Sequence, residues 1–172
     1  TATMERKTCF TRKDPDDGQG EQTIAANFDY VFIMMSLNRD FNLKRLERYL
    51  TVAWQSGAQP VVVLTKADLA EDVAEKVLLA QSSTIGADVC AVSAVTGQGM
   101  DALSKYLQAG RVIVFLGSSG VGKSTFTNFL AGDAVMQTNG IGEDDYRGHQ
   151  TTTYRRMLTL ASGVRIVDSP GM

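Results

Sequence analysis

The 172-residue sequence contains only two cysteines, Cys9 and Cys90, and a single histidine, His149. Two isolated cysteines exclude a disulfide framework and favour a reducing compartment. Even with the histidine, they are too few soft ligands for a structural zinc site. The first residues, TATMERKTCF, lack the apolar segment of a signal peptide, and no apolar run approaches the roughly 20 residues that span a bilayer. These absences predict a cytoplasmic protein that does not contact membranes.

The sequence also has little excess charge. Its formal net charge is −2, so no overall positive field attracts nucleic acid or anionic lipid. A contact with RNA would therefore need a local patch or sequence outside this chain. Hydrophobic residues make up 44% of the chain and charged residues 21%, the balance of a globular domain rather than of a disordered segment.

The composition changes along the chain. Residues 1–13 are basic with a strand-like alternation, and residues 14–22, DPDDGQGEQ, form an acidic stretch with glycine and proline. We interpret these as the end of one module and a linker, although a solvated surface turn is the alternative. Over residues 23–172, strand-like and helix-like segments alternate, and MDALSKYLQAG (100–110) is among the predicted helices. This alternation predicts an α/β domain with a mostly parallel sheet and helices on both faces.

The stretch GSSGVGKST matches the phosphate-loop (P-loop) pattern G-x-x-x-x-G-K-[ST] between an apolar strand and a helix. Glycines let backbone N–H groups surround a β-phosphate, and the helix N-terminus adds positive potential. Lys123 would neutralise the β- and γ-phosphate oxygens, and the Ser124 hydroxyl would bind Mg²⁺. The predicted nucleotide-binding residues of this loop are Gly117, Ser118, Ser119, Gly120, Val121, Gly122, Lys123, Ser124 and Thr125.

The strand VVVL leads into TKAD, which contains Thr65, Lys66 and Asp68 and has the form of a guanine-recognition loop. Asp68 can accept hydrogen bonds from both N1–H and the 2-amino group of guanine, a pair that adenine lacks. The Lys66 stem can cover the purine. Further along, Ser93-Ala94 again lie at a strand end, where the Ala94 N–H can donate to O6 of guanine. A surface Lys–Asp pair at a helix start is the alternative interpretation of TKAD.

Two later segments predict switch elements. VRIVDSPGM contains Asp168, which would hold the Mg²⁺ shell through water, and Gly171, whose N–H would face the γ-phosphate. Upstream, a threonine triplet precedes a strand, and Thr151 or Thr152 would coordinate the metal when GTP is bound. Ordinary strand propensity is the alternative for this β-branched run.

The order of these motifs is itself informative. The base-recognition loops precede the P-loop, and the switch elements follow it. Chain termini are often adjacent at the surface, so one sheet can form from a rotated chain order. The order base loop, Ser-Ala loop, P-loop, switch I, switch II predicts a circularly permuted P-loop GTPase domain that binds GTP or GDP. An ATP-dependent P-loop enzyme, such as a kinase, is the disfavoured alternative.

The segments TIAANFDYVFIMMSLNRDFNLKRLERYL, GSSGVGKST, RGHQTTT and VDSPGM resemble the ribosome-small-subunit-dependent GTPases, over about residues 4–172. The resemblance implies a Mg²⁺-dependent GTP hydrolase, slow alone and stimulated by the small ribosomal subunit, that acts in late assembly of that subunit. Its rRNA contacts would lie mainly outside this chain, and it would be a monomer. A different permuted ribosome-assembly GTPase, or a guanine-nucleotide-binding interaction module with negligible turnover, are the alternatives.

The resemblance further implies an N-terminal OB-type barrel, of which residues 1–13 would be a remnant, and a C-terminal zinc domain. Zinc is therefore expected only outside this chain, which would be truncated after the D-x-P-G motif. The family's threonine triplet usually follows a histidine proposed to be catalytic, whereas here Gln150 precedes the triplet and His149 lies one position earlier. Met172, after the last glycine, cannot orient water. Lys123, Gln150 and His149 are therefore the catalytic candidates, with Gln150 favoured because its amide both donates to and accepts from water.

Overall fold

The predicted alternation of strands and helices is present in the computed structural model, which describes residues 5, 7–13, 21–38, 40–118, 120–132 and 156–168. The strands are β1 (Cys9–Lys13), β2 (Glu21–Ala26), β3 (Tyr30–Ser36), β4 (Gln59–Thr65), β5 (Asp88–Ala91), β6 (Val112–Leu116), β7 (Arg156–Thr159) and β8 (Arg165–Asp168). The helices are α1 (Leu43–Gln55), α2 (Val73–Ser83) and α3 (Lys123–Ala131), and short 3₁₀ helices span Ala67–Leu69 and Met100–Leu103.

Six strands form one sheet in the order β5-β4-β3-β6-β8-β7. All neighbouring pairs are parallel except β7 and β8, which are antiparallel. The central strand β3 pairs with β4 on one side and with β6 on the other, so that Ile33 lies opposite both Val62 and Leu116. In a parallel sheet the carboxyl ends of the strands meet at one edge, and loops at that edge form ligand sites in open α/β folds.

The sheet is buried on both faces, which explains why its central strands are almost continuously apolar. Along β3, Val31 and Ile33 pack into the core on one face, while Phe32 and Met34 pack into the core on the other. Phe32 stacks on Phe115 of the neighbouring strand with ring centroids 5.9 Å apart. Leu46 of α1 belongs to the first core and Phe126 of α3 to the second, which confirms the predicted sheet with helices on both faces.

Helix α1 begins directly after Asn42. The Asn42 side chain accepts a 3.0 Å hydrogen bond from the Arg45 backbone N–H and caps the helix. Leu46 and Leu50 are buried at helical spacing, whereas Trp54 is 45% exposed. Within the described residues, no helix has both the length and the apolar character needed to cross a membrane.

The segment after β5 differs from its prediction. Residues 100–110 do not form an α-helix; a 3₁₀ helix spans Met100–Leu103 and is followed by turns. Met100, Leu103 and Tyr106 are all buried. Their spacing of three residues suits a 3₁₀ helix, in which side chains three apart lie on the same side. Burial of these three side chains therefore outweighs the helix propensity of the segment.

Strands β1 and β2 form a separate antiparallel pair. Arg12 and Lys13 lie opposite Gln22 and Glu21, so β2 begins inside the stretch that composition assigns to a linker. Backbone hydrogen bonds join this part of the chain to the α/β domain, including Cys9 N–H to Ser56 O at 3.1 Å. The interpretation of residues 1–13 as the end of an OB-type barrel, and of 14–22 as its linker, stays a prediction.

Candidate functional site

The P-loop follows β6, the strand beside the centre of the sheet. A methyl group added to Gly117 would lie 2.7 Å from the carbonyl oxygen of Met34 on β3, so a larger residue cannot begin the loop without displacing this strand. Gly122 has a φ of +97°, and α3 starts at the next residue, Lys123. The loop therefore ends at a helix N-terminus, where backbone N–H groups and the helix dipole favour a bound phosphate.

Lys123 extends back across the P-loop. Its Nζ donates to the Gly117 carbonyl at 3.3 Å and lies 3.5 Å from Asp168 Oδ1. Asp168 reaches this position because it ends β8 and lies opposite Phe115 of β6. The predicted phosphate-binding lysine and the predicted metal-shell carboxylate are thus adjacent.

The residues at this position fit a Mg²⁺ ion. Asp168 Oδ1 is buried and, beside its 3.5 Å ion pair with Lys123, accepts no hydrogen bond from the described residues, so a hydrated cation could use it as an acceptor. Ser124, in the first turn of α3, provides a hydroxyl oxygen beside the same loop. No cluster of three His, Cys, Asp or Glu side chains that could hold a metal occurs in the described ranges. Mg²⁺ sites in proteins commonly use one or two side-chain oxygens together with phosphates and water.

The TKAD loop is hydrogen-bonded directly to the P-loop. Thr65 ends β4 with a buried side chain, and its hydroxyl donates to the carbonyl of Val121, 56 residues later in the chain. Lys66 Nζ donates to the Gly120 carbonyl at 3.0 Å. Lys66 also has a φ of +59°, a left-handed conformation that is rare for residues other than glycine and is often found at functional sites. Two consecutive side chains therefore fix the distance between the predicted base loop and phosphate loop.

Ser93 holds Asp68 in place. The Ser93 side chain is fully buried, and its hydroxyl donates to Asp68 Oδ1 at 2.7 Å. The Ser93 Oγ also accepts a 3.2 Å hydrogen bond from the Thr96 N–H, which closes a tight turn after β5. The Ser-Ala loop and the TKAD loop thus meet through a hydrogen bond to a carboxylate, a stronger type than one between neutral groups.

A cavity of about 120 Å³ lies between these loops and the start of α3. Its lining is mostly apolar, and Asp68 and Lys66 contribute charged groups, as expected of a pocket for a partly polar ligand. The lining residues are Thr65, Lys66, Asp68, Leu69, Val92, Ala94, Val95, Gly122, Thr125 and Phe126.

The comparison with protein families agrees with this geometry. The RsgA GTPase family model matches residues 3–172, nearly the whole chain. The chain belongs to the RsgA GTPase family.

Several RsgA proteins are similar to the chain. It is 52% identical over 169 residues to "Small ribosomal subunit biogenesis GTPase RsgA 2" of Listeria monocytogenes, a match that covers 98% of this chain and 48% of the relative. It is 46% identical over 169 residues to the RsgA protein of Methanosarcina acetivorans, again covering 98% of this chain and 46% of the relative. The chain therefore spans about half the length of the curated relatives it matches.

Two solved structures share the fold. The crystal structure of YjeQ from Thermotoga maritima superposes with a TM-score of 0.70 at 26% identity, and the match covers 99% of this chain and 54% of that one. YloQ, described as a circularly permuted GTPase, superposes with a TM-score of 0.60 at 23% identity and covers 98% of this chain and 50% of that one. The permuted GTPase fold predicted from the motif order is thereby confirmed.

The described part of the chain brings most of the predicted residues to one edge of the sheet. Base loop, Ser-Ala loop and P-loop follow β4, β5 and β6, and Asp168 ends β8. The remaining predicted residues lie outside the described residues: Ser119, His149, Gln150, Thr151, Thr152 and Gly171.

Sequence reasoning missed three side chains at this site. Leu69 and Val95 form exposed apolar walls of the cavity, with exposed fractions of 64% and 77%. Asp40, in the loop after β3, accepts a hydrogen bond from Ser118 in the P-loop. No local signal marks Asp40, because its contact with Ser118 arises only when β3 and β6 are neighbours in the sheet.

Proposed function

We propose that this chain is a domain that binds guanine nucleotides and hydrolyses GTP, in a factor that acts in late assembly of the small ribosomal subunit. The observation that carries the proposal is the hydrogen bond from Ser93 to Asp68, because Asp68 lines the same cavity as Gly122 of the P-loop. A carboxylate suited to guanine and the end of the proposed phosphate loop both line one pocket, which supports the proposal.

The position of Asp68 supports selection of guanine. Its carboxylate would accept from N1–H and the 2-amino group of guanine, while the Ala94 N–H would donate to O6. Adenine presents the opposite donor and acceptor pattern, so binding it would leave the carboxylate unsatisfied. The stem of Lys66 and the apolar walls of Leu69 and Val95 would lie against the flat faces of the purine.

The phosphates would extend from the base towards the N-terminus of α3. Lys123 would move from the Gly117 carbonyl to the β- and γ-phosphate oxygens and neutralise them. Ser124 and Asp168 would hold Mg²⁺, together with Thr151 or Thr152, and the bound ion supplies charge neutralisation at the transferring phosphoryl group. The Gly171 N–H would face the γ-phosphate, and Gln150, with His149 as the second candidate, would orient the attacking water.

The small subunit as partner is proposed from the names of the relatives, which are small ribosomal subunit biogenesis GTPases. The net charge of −2 gives this chain no general affinity for RNA, so the rRNA contacts would lie mainly in other regions of the protein. We further propose a cytoplasmic monomer in which any zinc site belongs to a region outside this chain.

Calorimetric titration of GDP, GTP and ATP into the purified chain tests the binding proposal. We expect saturable binding of GDP and GTP and at least a hundredfold weaker binding of ATP, because only guanine satisfies Asp68. Equal affinities for GTP and ATP would contradict the assignment of the base loop.

One sequence feature favours a second candidate, a guanine-nucleotide-binding interaction module with negligible turnover. Met172 follows Gly171 and provides no hydrogen bond to a water molecule. Parallel turnover assays of the whole protein, with and without small ribosomal subunits, separate the two candidates. Stimulated turnover supports the hydrolase, whereas nucleotide binding without turnover under both conditions supports the module.

A further inference from the structure

The loop between β3 and α1 carries a carboxylate that contacts the P-loop. Asp40 Oδ2 accepts a 2.7 Å hydrogen bond from the Ser118 hydroxyl, and Asp40 Oδ1 accepts a 2.6 Å bond from Arg45 Nη1. Ser118 is the second residue of the P-loop and lies 78 residues after Asp40. We propose that Asp40 is a positioning residue for nucleotide binding: held by Arg45, it fixes the P-loop at Ser118. This inference rests on the nucleotide-binding function proposed above.

The Asp40 carboxylate is itself held on a well-anchored segment. The Leu37 N–H donates to the Thr65 carbonyl at 2.9 Å, which ties the start of the loop to the base-recognition strand. On the other side, Lys76 of α2 donates to the Leu37 carbonyl and forms an ion pair with Asp72 at 3.2 Å. The loop therefore connects the base side of the site with its phosphate side.

Arg45 offsets the negative charge of Asp40 beside the proposed phosphate site. Arg45 lies in the first turn of α1, and its backbone N–H donates to the Asn42 side chain. The Arg45 side chain therefore extends from a fixed backbone position. Burial opposes ionisation of Asp40, but the hydrogen bonds from Ser118 and Arg45 outweigh it and lower the pKa of this carboxyl. Asp40 is therefore a charged acceptor at neutral pH, and the paired Arg45 limits its repulsion of phosphate.

Fixing Ser118 matters because the P-loop binds phosphate through backbone N–H groups that must already point inward. A loop that is ordered before the ligand arrives loses less conformational entropy on binding, which raises affinity. The opposite effect is also physically possible, since removing an anion near the phosphates would strengthen binding. The sign of the change in affinity therefore tests the inference.

The experiment measures the affinity of the full chain for a fluorescent GDP analogue in a double-mutant cycle. The variants are Asp40→Ala, Ser118→Ala and the double substitution, with Glu47→Gln as a control that removes an exposed carboxylate from the same helix as Arg45. We expect about a tenfold loss for each single variant, about the same loss for the double variant, and no change for the control. Urea unfolding without nucleotide is also measured for each variant. A purely structural role of Asp40 would lower the free energy of unfolding, but the losses of GDP affinity in the two single variants would then not coincide with the loss in the double variant.

Each outcome bears on the inference. A loss of about a hundredfold in the double variant would mean that the two side chains act independently, and it would overturn the inference. Unchanged or tighter GDP binding by Asp40→Ala would also overturn it. If Asp40→Ala does not fold, Ser118→Ala, which keeps the Asp40–Arg45 pair, must still lose affinity. A parent chain that binds no GDP would refute the proposed function itself, whereas normal binding by the parent and all variants would refute only this inference.

Discussion

The Ser93 hydroxyl donates a 2.7 Å hydrogen bond to Asp68 Oδ1 and connects two loops that are 25 residues apart in the sequence. Asp68 lies in a 3₁₀ helix of three residues and is exposed, so its own backbone context constrains the side chain little. Ser93, in contrast, is fully buried. The orientation of the proposed guanine-recognition carboxylate is therefore determined by the neighbouring loop.

Substitution Ser93→Ala should weaken GDP binding about fivefold, roughly 1 kcal/mol, because Asp68 loses the donor that orients it. The matched control is Ser104→Ala, which removes an exposed hydroxyl that donates to the Asp101 carbonyl at 2.7 Å away from the cavity. Calorimetric titration of both variants checks the prediction. Equal affinities of the Ser93 and Ser104 variants would contradict it.

Substitution Asp68→Asn should have a larger effect and should change the preference for the base. The asparagine amide cannot accept both guanine donors, so we expect GDP binding to weaken by about 2–3 kcal/mol. Xanthine carries an acceptor in place of the 2-amino group, so xanthosine diphosphate should bind the variant better than GDP does. Competition between the two nucleotides measures this change. An Asp68→Asn protein that still prefers GDP with parental affinity would show that TKAD does not recognise the base.

Thr65 offers a test of the connection between the base loop and the P-loop. Its buried hydroxyl donates to the Val121 carbonyl, and valine has a similar shape without a donor. We expect Thr65→Val to lower the free energy of unfolding by about 1–3 kcal/mol and to weaken GDP binding, since a buried carbonyl loses its partner. Thr65→Ser keeps the hydroxyl and should retain most of the affinity. Urea unfolding and GDP titration of both variants provide the comparison, and equal GDP affinities in the two variants would argue against the connection.

The motifs could be predicted from the sequence because each combines a strand end with residues of specific chemistry. The P-loop, TKAD and the Ser-Ala loop all follow strands of the observed sheet. Their mutual contacts were not predictable, because Thr65 and Val121 meet only when β4 and β6 lie on opposite sides of β3. Strand order depends on packing between distant segments, which local patterns do not specify.

The same limit explains what the sequence analysis missed. Asp40 looks like an ordinary acidic residue near a helix start until Ser118 is placed beside it. The predicted helix at residues 100–110 failed for a related reason. Its local propensity is helical, but burial of Met100, Leu103 and Tyr106 at a spacing of three favours a 3₁₀ helix and turns.

The catalytic group is predicted from the sequence and lies outside the described residues. Gln150 directly precedes the threonine triplet proposed to close on the γ-phosphate. In an extended segment successive side chains point in opposite directions, so His149 would then point away from the side on which Gln150 lies. In the whole protein with small ribosomal subunits, Gln150→Ala should lower turnover at least about tenfold, roughly 1.4 kcal/mol of barrier. GTP affinity should change little, because the amide acts on water.

His149→Ala is the matched control for Gln150→Ala and should have the smaller effect on turnover. The reverse ranking would assign the catalytic role to His149. If neither substitution changes turnover, the group that orients water lies outside this chain.

Substitution of Gly99 tests whether the turn after β5 holds Ser93 in position. A methyl group at Gly99 would lie 2.1 Å from the Ala91 carbonyl oxygen at the end of β5, and the residue has a φ of +74°. Gly110 is the matched control, since its φ is +84° but no atom lies within 4 Å of a methyl group placed there. At both positions alanine would adopt a positive φ, which costs about 1 kcal/mol of backbone strain. Only Gly99→Ala must also displace β5. Urea unfolding should show a loss in the free energy of unfolding of about 3 kcal/mol or more for Gly99→Ala and about 1 kcal/mol for Gly110→Ala.

Because β5 leads directly into Ser93, Gly99→Ala should also weaken GDP binding, whereas Gly110→Ala should not. Equal losses of stability in the two variants would mean that the turn can shift without cost, and that Ser93 is held by the rest of its loop rather than by the close approach of Gly99 to β5.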